Sequence, residues 1–133
     1  GLIAGCLTEI PGSSSVIEGG FVTYSNQAKV SMLSVKLEQL DQYGAVSEEV
    51  ARSMAEGALG SSAADIAIAC TGVAGPGVGS SDVPVGTVCY AVFGDGRVHT
   101  FQKVFGGNRQ AVRTRAAQVA LFSFFQMLTN KLD

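Results

Sequence analysis

The segment that most constrains the fold is Asp65-Ile66-Ala67-Ile68-Ala69-Cys70-Thr71. It is a continuous apolar run, not an alternating one, and turn signals bound it at Gly60-Ser61-Ser62 and Gly72. Such a run reads as a central strand covered on both faces, which requires packed helices above and below it. Residues 85–93 repeat the pattern as a second buried strand, Gly94-Asp95-Gly96 forms a hairpin turn, and residues 97–105 alternate and pair back antiparallel. A short β-branched and aromatic strand is expected earlier, at Phe21-Val22-Thr23-Tyr24 after Gly19-Gly20.

Helical patterns fill the remainder. Residues 2–9 read as a helix stopped by Pro11-Gly12. Asn26 is expected to cap a short helix over residues 27–33, and a second piece carries Val35, Leu37 and Leu40 to Gly44. Ser47 caps a helix with Glu48 and Glu49 in its first turn and Val50, Met54 and Ala58 at i+4 spacing. The last helix runs from about residue 109 to residue 132, with Val112, Ala116, Val119, Ser123 and Met127 on one face. Leu121, Phe122, Phe124 and Phe125 spread apolarity around the cylinder, so this helix is either sandwiched in the fold or part of a subunit interface. The expected architecture is α/β: a three-layer α/β/α sandwich with a mixed sheet. In such sheets ligands bind at the carboxyl ends of strands.

Composition fits one packed domain over residues 1–133. The chain is 47% apolar and only 15% charged, which excludes disorder. Nine basic residues against eleven acidic give a net charge of −2, which argues against nucleic acid as a partner. No apolar run is long enough to span a membrane. Cys6, Cys70 and Cys89 are odd in number and widely spaced, which fits neither a disulfide framework nor a zinc site and suggests free thiols in the cytoplasm. His99, the single histidine, falls in an alternating stretch and reads as an exposed strand residue. The chain opens inside an apolar helical pattern with no initiator Met, signal sequence or cap, so residues ahead of Gly1 are expected.

Three constellations can carry chemistry. Thr71-Gly72-Val73-Ala74-Gly75-Pro76-Gly77-Val78-Gly79 follows a buried strand, where successive N–H groups can form an anion nest or oxyanion hole. It lacks the Gly-Lys-Ser/Thr ending of a Walker loop, and a strand follows it where a Rossmann fingerprint has a helix. A flexible surface loop is the other reading. Gly106-Gly107-Asn108-Arg109 with Arg113 offers a helix start and two arginines one turn apart, either a phosphate or carboxylate clamp or a solvated basic face. In Thr23-Tyr24-Ser25-Asn26-Gln27-Ala28-Lys29, a lysine in the first helical turn opposes the dipole, and partial burial would further favour the neutral amine. Such a lysine can act as general base to a hydroxyl nucleophile, with Tyr24 holding or relaying a proton. An ordinary surface lysine is the alternative.

Together these segments resemble the CinA carboxy-terminal domain family, the competence-damage-inducible proteins that include nicotinamide-nucleotide amidohydrolases. The resemblance is carried by Ile10-Pro11-Gly12-Ser13-Ser14, Gly20-Phe21-Val22-Thr23-Tyr24-Ser25-Asn26-Gln27-Ala28-Lys29, Tyr43-Gly44-Ala45-Val46-Ser47, Thr71-Gly72-Val73-Ala74-Gly75-Pro76-Gly77, Pro84-Val85-Gly86-Thr87-Val88, and Asn108-Arg109 through Val112-Arg113. It implies hydrolysis of the carboxamide of nicotinamide mononucleotide to nicotinate mononucleotide and ammonia, without metal or organic cofactor. The family's nucleophile is a serine in Glu-Ser-Cys-Thr-Gly-Gly. Gly1 looks like the last glycine of that motif, which places the serine and an amino-terminal strand ahead of this sequence. The resemblance makes Lys29 and Tyr24 catalytic. Thr71 and Arg109 match substrate-contacting positions, and Gly75, Pro76, Gly77 and Arg113 complete the expected pocket. Asn108 departs from the Asp that often precedes this arginine. The implied partner is a small-molecule nucleotide, and the apolar last helix leads us to expect a homodimer formed through it. The alternatives are a non-catalytic nucleotide-binding module and a competence-associated interaction protein.

Overall fold

The computed structural model describes residues 1–79 and 82–132. Ser80 and Ser81, within the expected glycine-rich loop, and Asp133 lie outside the described residues. The elements run α1 (Leu2–Thr8), a 3-10 turn (Ser13–Ser15), α2 (Asn26–Leu33), α3 (Leu37–Tyr43), α4 (Glu48–Gly60), β1 (Ile66–Gly72), β2 (Thr87–Gly94), β3 (Arg97–Val104) and α5 (Arg109–Leu128).

The layering follows from strand periodicity. Successive side chains of β2 point to opposite faces, and two separate cores result. Cys89 and Ala91 join Ala69 of β1 under Leu33, Leu40, Val50, Ala51, Met54 and Ala55, from α2, α3 and α4. Val88 and Tyr90 face the other way, against Val112 and Ala120 of α5, with Ile3 of α1 packed alongside. Tyr90 is fully buried, its ring stacked on Phe101 at 4.7 Å and its hydroxyl donating to the Ala116 carbonyl at 3.1 Å. The expected α/β/α sandwich is therefore present.

The sheet itself differs from expectation. Its order is β1-β2-β3, and both pairings are antiparallel, so among the described residues it is not mixed. Residues 21–24 join no ladder among the described residues. β-propensity reports fit against neighbouring strands, and without a neighbour it creates no strand. The β2–β3 hairpin turns through Asp95 and Gly96, both at positive φ, the backbone that a tight two-residue turn needs. α5 ends at Leu128, earlier than the apolar pattern suggests, where the Thr129 hydroxyl donates back to the Phe125 carbonyl at 2.9 Å. Val112, Ala117, Ala120, Ser123 and Met127 are its buried residues, while Ala116 and Val119 are half-buried.

Candidate active site

A cleft of about 2090 Å³ separates residues 17–24 from β1. Lys29, Tyr24, Thr71, Gly75, Gly77, Arg109 and Arg113 all border it, and among them Arg109 contacts Gly75 and Tyr24 directly. Of the expected site residues, Pro76, which follows Gly75 through a cis peptide bond, does not border it. His99 lies on β3, away from the cleft, its ring 5.3 Å from Phe101.

Lys29 is placed by the start of α2. The cap is Ser25, one residue earlier than expected, whose hydroxyl accepts the Ala28 N–H at 3.0 Å. Asn26 is the first helical residue, and it lines the cleft. The Lys29 side chain is 6% exposed, and its Nζ donates to the Thr23 carbonyl at 2.9 Å. Burial disfavours the ammonium and holds its pKa below the usual lysine value of 10.5.

Arg109 stands at the first position of α5, behind an Asn108 cap whose side chain accepts the Ala111 N–H at 2.9 Å. One arm of its guanidinium donates to the Gly75 carbonyl at 2.8 Å and the other to the Tyr24 hydroxyl at 3.2 Å. Arg109 thus ties the glycine loop to the opposite wall of the cleft. The Tyr24 hydroxyl meets Arg109 and not Lys29, and the residue is 85% exposed. Arg113 is exposed one turn along the same helix.

Thr71 closes the carboxyl end of β1. It is buried, and its hydroxyl donates to the Ala45 carbonyl at 2.7 Å, which fixes the turn after α3 against the strand. Gly75 has φ +84, and a Cβ there would lie 2.5 Å from Val85 Cγ1. Only glycine accommodates both that backbone and that approach.

Two contributions were not legible beforehand. Thr23 supplies the carbonyl that holds Lys29, and Ala45 supplies the acceptor for Thr71. Both act through main-chain oxygen, for which side-chain identity gives no signal. Among the described residues no three His, Cys, Asp or Glu side chains group as a metal site.

Comparison with known proteins gives the arrangement a family. The model of the CinA C-terminal domain matches residues 1–128. A putative competence-damage inducible protein of Symbiobacterium thermophilum is 49% identical over 100% of this chain, which spans 33% of that relative's length. The nicotinamide-nucleotide amidohydrolase PncC of Enterobacter agglomerans is 51% identical over 91% of this chain and 74% of its own. Among solved structures, the competence/damage inducible protein CihA of Agrobacterium tumefaciens superposes with a TM-score of 0.90 at 47% identity, covering 94% of this chain and 77% of that one. A CinA superfamily protein of Escherichia coli gives a TM-score of 0.92 at 38% identity, covering 96% and 74%. With the family model spanning nearly its whole length, this chain belongs to the CinA C-terminal domain family.

Proposed function

We propose that the protein hydrolyses the carboxamide of nicotinamide mononucleotide, releasing nicotinate mononucleotide and ammonia. One observation carries the reading: a buried lysine, its pKa lowered by desolvation, lines a cleft that also holds an arginine-tethered glycine loop. The name of the Enterobacter relative supports the substrate class.

In this mechanism neutral Lys29 accepts the proton of a serine hydroxyl, and the serine oxygen attacks the carboxamide carbon. The serine belongs to chain leading into Gly1, which itself lines the cleft. N–H groups of a glycine-rich turn stabilise the tetrahedral oxyanion, an effect worth about 3–4 kcal/mol for one well-placed donor. Lys29 returns its proton to the departing ammonia. Water then enters, Lys29 accepts one of its protons, and the acyl-enzyme is cleaved to the carboxylate and free serine. Arg109 and Arg113 hold the nucleotide phosphate, Tyr24 orients Arg109, and Thr71 with the turn at Gly75, Pro76 and Gly77 shapes the ring and ribose pocket.

The three cysteines are unpaired, which supports a cytoplasmic setting, and no described helix is long and apolar enough to cross a membrane. Exposed Phe122, Phe125 and Leu128 on α5 support pairing of two copies through that helix.

The decisive experiment measures ammonia released from nicotinamide mononucleotide by the protein with its natural residues ahead of Gly1. Release that Lys29→Met abolishes is the expected result. Tight nucleotide binding without release would leave a recognition module instead.

A further inference from the structure

We propose that the cleft captures aldehydes that carry a phosphate, Lys29 condensing with the carbonyl carbon while Arg109 and Arg113 take the phosphate. Capture rests on the neutral amine and the phosphate site of the proposed function, and not on its hydrolysis.

Condensation with a carbonyl needs an uncharged amine that a ligand can reach, and desolvation is one way to obtain it. Lys29 is buried, yet it borders the cleft. Its Nζ donates to the Thr23 carbonyl at 2.9 Å, which leaves the nitrogen lone pair uncommitted in the neutral amine. Among the described residues no carboxylate pairs with it, so nothing there offsets the cost of the ammonium. The lowered pKa of Lys29 acts in the same sense. The other lysines, Lys36, Lys103 and Lys131, are exposed, and none borders the cleft.

The phosphate anchor is tied to the same stretch of chain. The Thr23 carbonyl accepts from Lys29, and the hydroxyl of the next residue, Tyr24, accepts from Arg109 at 3.2 Å. The Gly75 carbonyl holds Arg109 from the other side at 2.8 Å. The guanidinium keeps further N–H groups for phosphate oxygens. Arg113, one turn along α5, borders the cleft as well, and no carboxylate among the described residues pairs with either arginine. Phe21, Tyr24 and Tyr43 are exposed aromatic side chains on the border, suited to the face of a flat ring. A ligand with a carbonyl at one end and a phosphate at the other uses the amine and the arginines together. An aldehyde without phosphate reaches the amine and leaves the arginines unused.

The condensation needs no co-reactant. The Nζ lone pair adds to the carbonyl carbon, and the carbonyl oxygen leaves as water with both amine protons. The imine nitrogen then takes a proton from solvent and can donate it to the Thr23 carbonyl, as the amine does. Water reverses the step. The adduct occupies the proposed base, so phosphorylated aldehydes act as reversible inhibitors of the hydrolysis.

The test adds pyridoxal phosphate, a ring aldehyde, or glycolaldehyde phosphate, an aliphatic one, to the 133-residue chain. Borohydride fixes the imine, and peptide masses locate it. We expect one label per chain, on Lys29, and none on Lys36, Lys103, Lys131 or the Gly1 amino group. Capture of either aldehyde supports the class, and the one preferred tells whether the aromatic border selects a ring. Pyridoxal, which lacks the phosphate, should bind at least about tenfold more weakly than pyridoxal phosphate. Inorganic phosphate should compete with the phosphorylated aldehyde and not with pyridoxal. Arg109→Gln should lose most of the tenfold difference while still taking pyridoxal, and Lys29→Met should show no imine absorption. Labels spread evenly over the lysines, a label on the Gly1 amine in place of Lys29, or equal affinity for pyridoxal and its phosphate would each overturn the proposal. The last comparison needs no variant, so a variant that fails to fold does not blunt it. Capture at Lys29 without ammonia release removes the proposed hydrolysis alone, and release without capture removes the aldehyde site alone.

Discussion

The Lys29 amine donates to the Thr23 carbonyl at 2.9 Å, and among the described residues no carboxylate forms an ion pair with it. A buried cation held by one neutral oxygen is costly, and the cost falls on the protonated form. Replacing it should therefore separate catalysis from stability. Lys29→Met keeps most of the apolar stem and removes the base. Turnover should fall about 10²–10⁴-fold, the usual worth of a general base, while the melting temperature at neutral pH rises. An activity assay paired with thermal melts reads both, and unchanged turnover would refute the assigned role.

The same residue fixes a pH dependence. Its folded pKa is lowered, so the unfolded chain binds more protons between that value and 10.5. Stability contributed at this site is lowest where both states are protonated, and it rises as pH climbs through the lowered folded pKa toward 10.5. Activity should rise over a limb set by the same folded pKa, because only the neutral amine accepts a proton. The difference in denaturant midpoint between the natural chain and Lys29→Met, in which the opposing thiol and phenol contributions cancel, should shift in favour of the natural chain as pH climbs through that range. A flat kcat/KM profile through that range would remove Lys29 as base.

Arg109 spans the cleft with two donors, one to Gly75 and one to Tyr24. Lysine cannot reproduce a planar fork. Arg109→Lys should raise KM about tenfold or more, since a hydrogen bond from a charged group contributes roughly 1.5–3 kcal/mol. Tyr24→Phe deletes one bond at an exposed ring and should change KM by less than about threefold. Steady-state kinetics on both variants checks the pair. A loss of kcat by orders of magnitude in Tyr24→Phe would instead make its hydroxyl a proton carrier.

Helix packing under the active lysine gives a stability prediction. A Cβ on Gly57 of α4 would fall 1.9 Å from the Leu33 carbonyl oxygen, at the end of α2 that carries Lys29. That contact is backbone and cannot yield cheaply. Gly57→Ala should destabilise by about 1–3 kcal/mol through overpacking, despite alanine's better helix propensity. Gly5, inside α1, has nothing within 4 Å of its would-be Cβ. Gly5→Ala should stabilise by about 0.5–1 kcal/mol. Denaturant titrations of the two variants should move in opposite directions.

Much of this was legible in residue order, and the failures share a cause. The apolar run at 66–70 announced a strand packed between helices, but not a central one: among the described residues β1 is at the sheet edge, and Ile66, Ala67 and Ile68 are half-buried. Ser47 and Asn108 announced their helices through side chains that do accept the N–H groups expected of them. Lys29 was singled out because a cation in a first helical turn is out of place, and the fold buries it. Residues 21–24 have strand composition but no neighbour to pair with, and pairing is a long-range property that no local window contains. Ser25 and Asn26 are both good caps, and only the final backbone decides between them. Thr23 and Ala45 contribute carbonyl oxygens, which every residue possesses.

Cys89 supplies a last test, on the alkaline side of the fold. It is fully buried on β2, its thiol donates to Gln102 Oε1 at 3.5 Å, and burial first, then the nearby Glu48 and Glu49 carboxylates, push its pKa from 9.0 up to about 11. Between those values the unfolded chain releases a proton that the folded chain retains, so this site favours folding below pH 9.0 and loses that contribution as pH rises toward 11. The trend opposes that of Lys29, so the two are separated by variants. Cys89→Ala should lessen the alkaline decline, the remainder coming from Cys70 and Tyr90, which burial also pushes up, and should leave the Lys29 rise. Thiol labelling should give the same order: Cys89 reacts only on unfolding, while half-buried Cys6 reacts in the native protein. Native-state labelling of Cys89 at the rate of Cys6 would show that the core between α4 and the sheet is open.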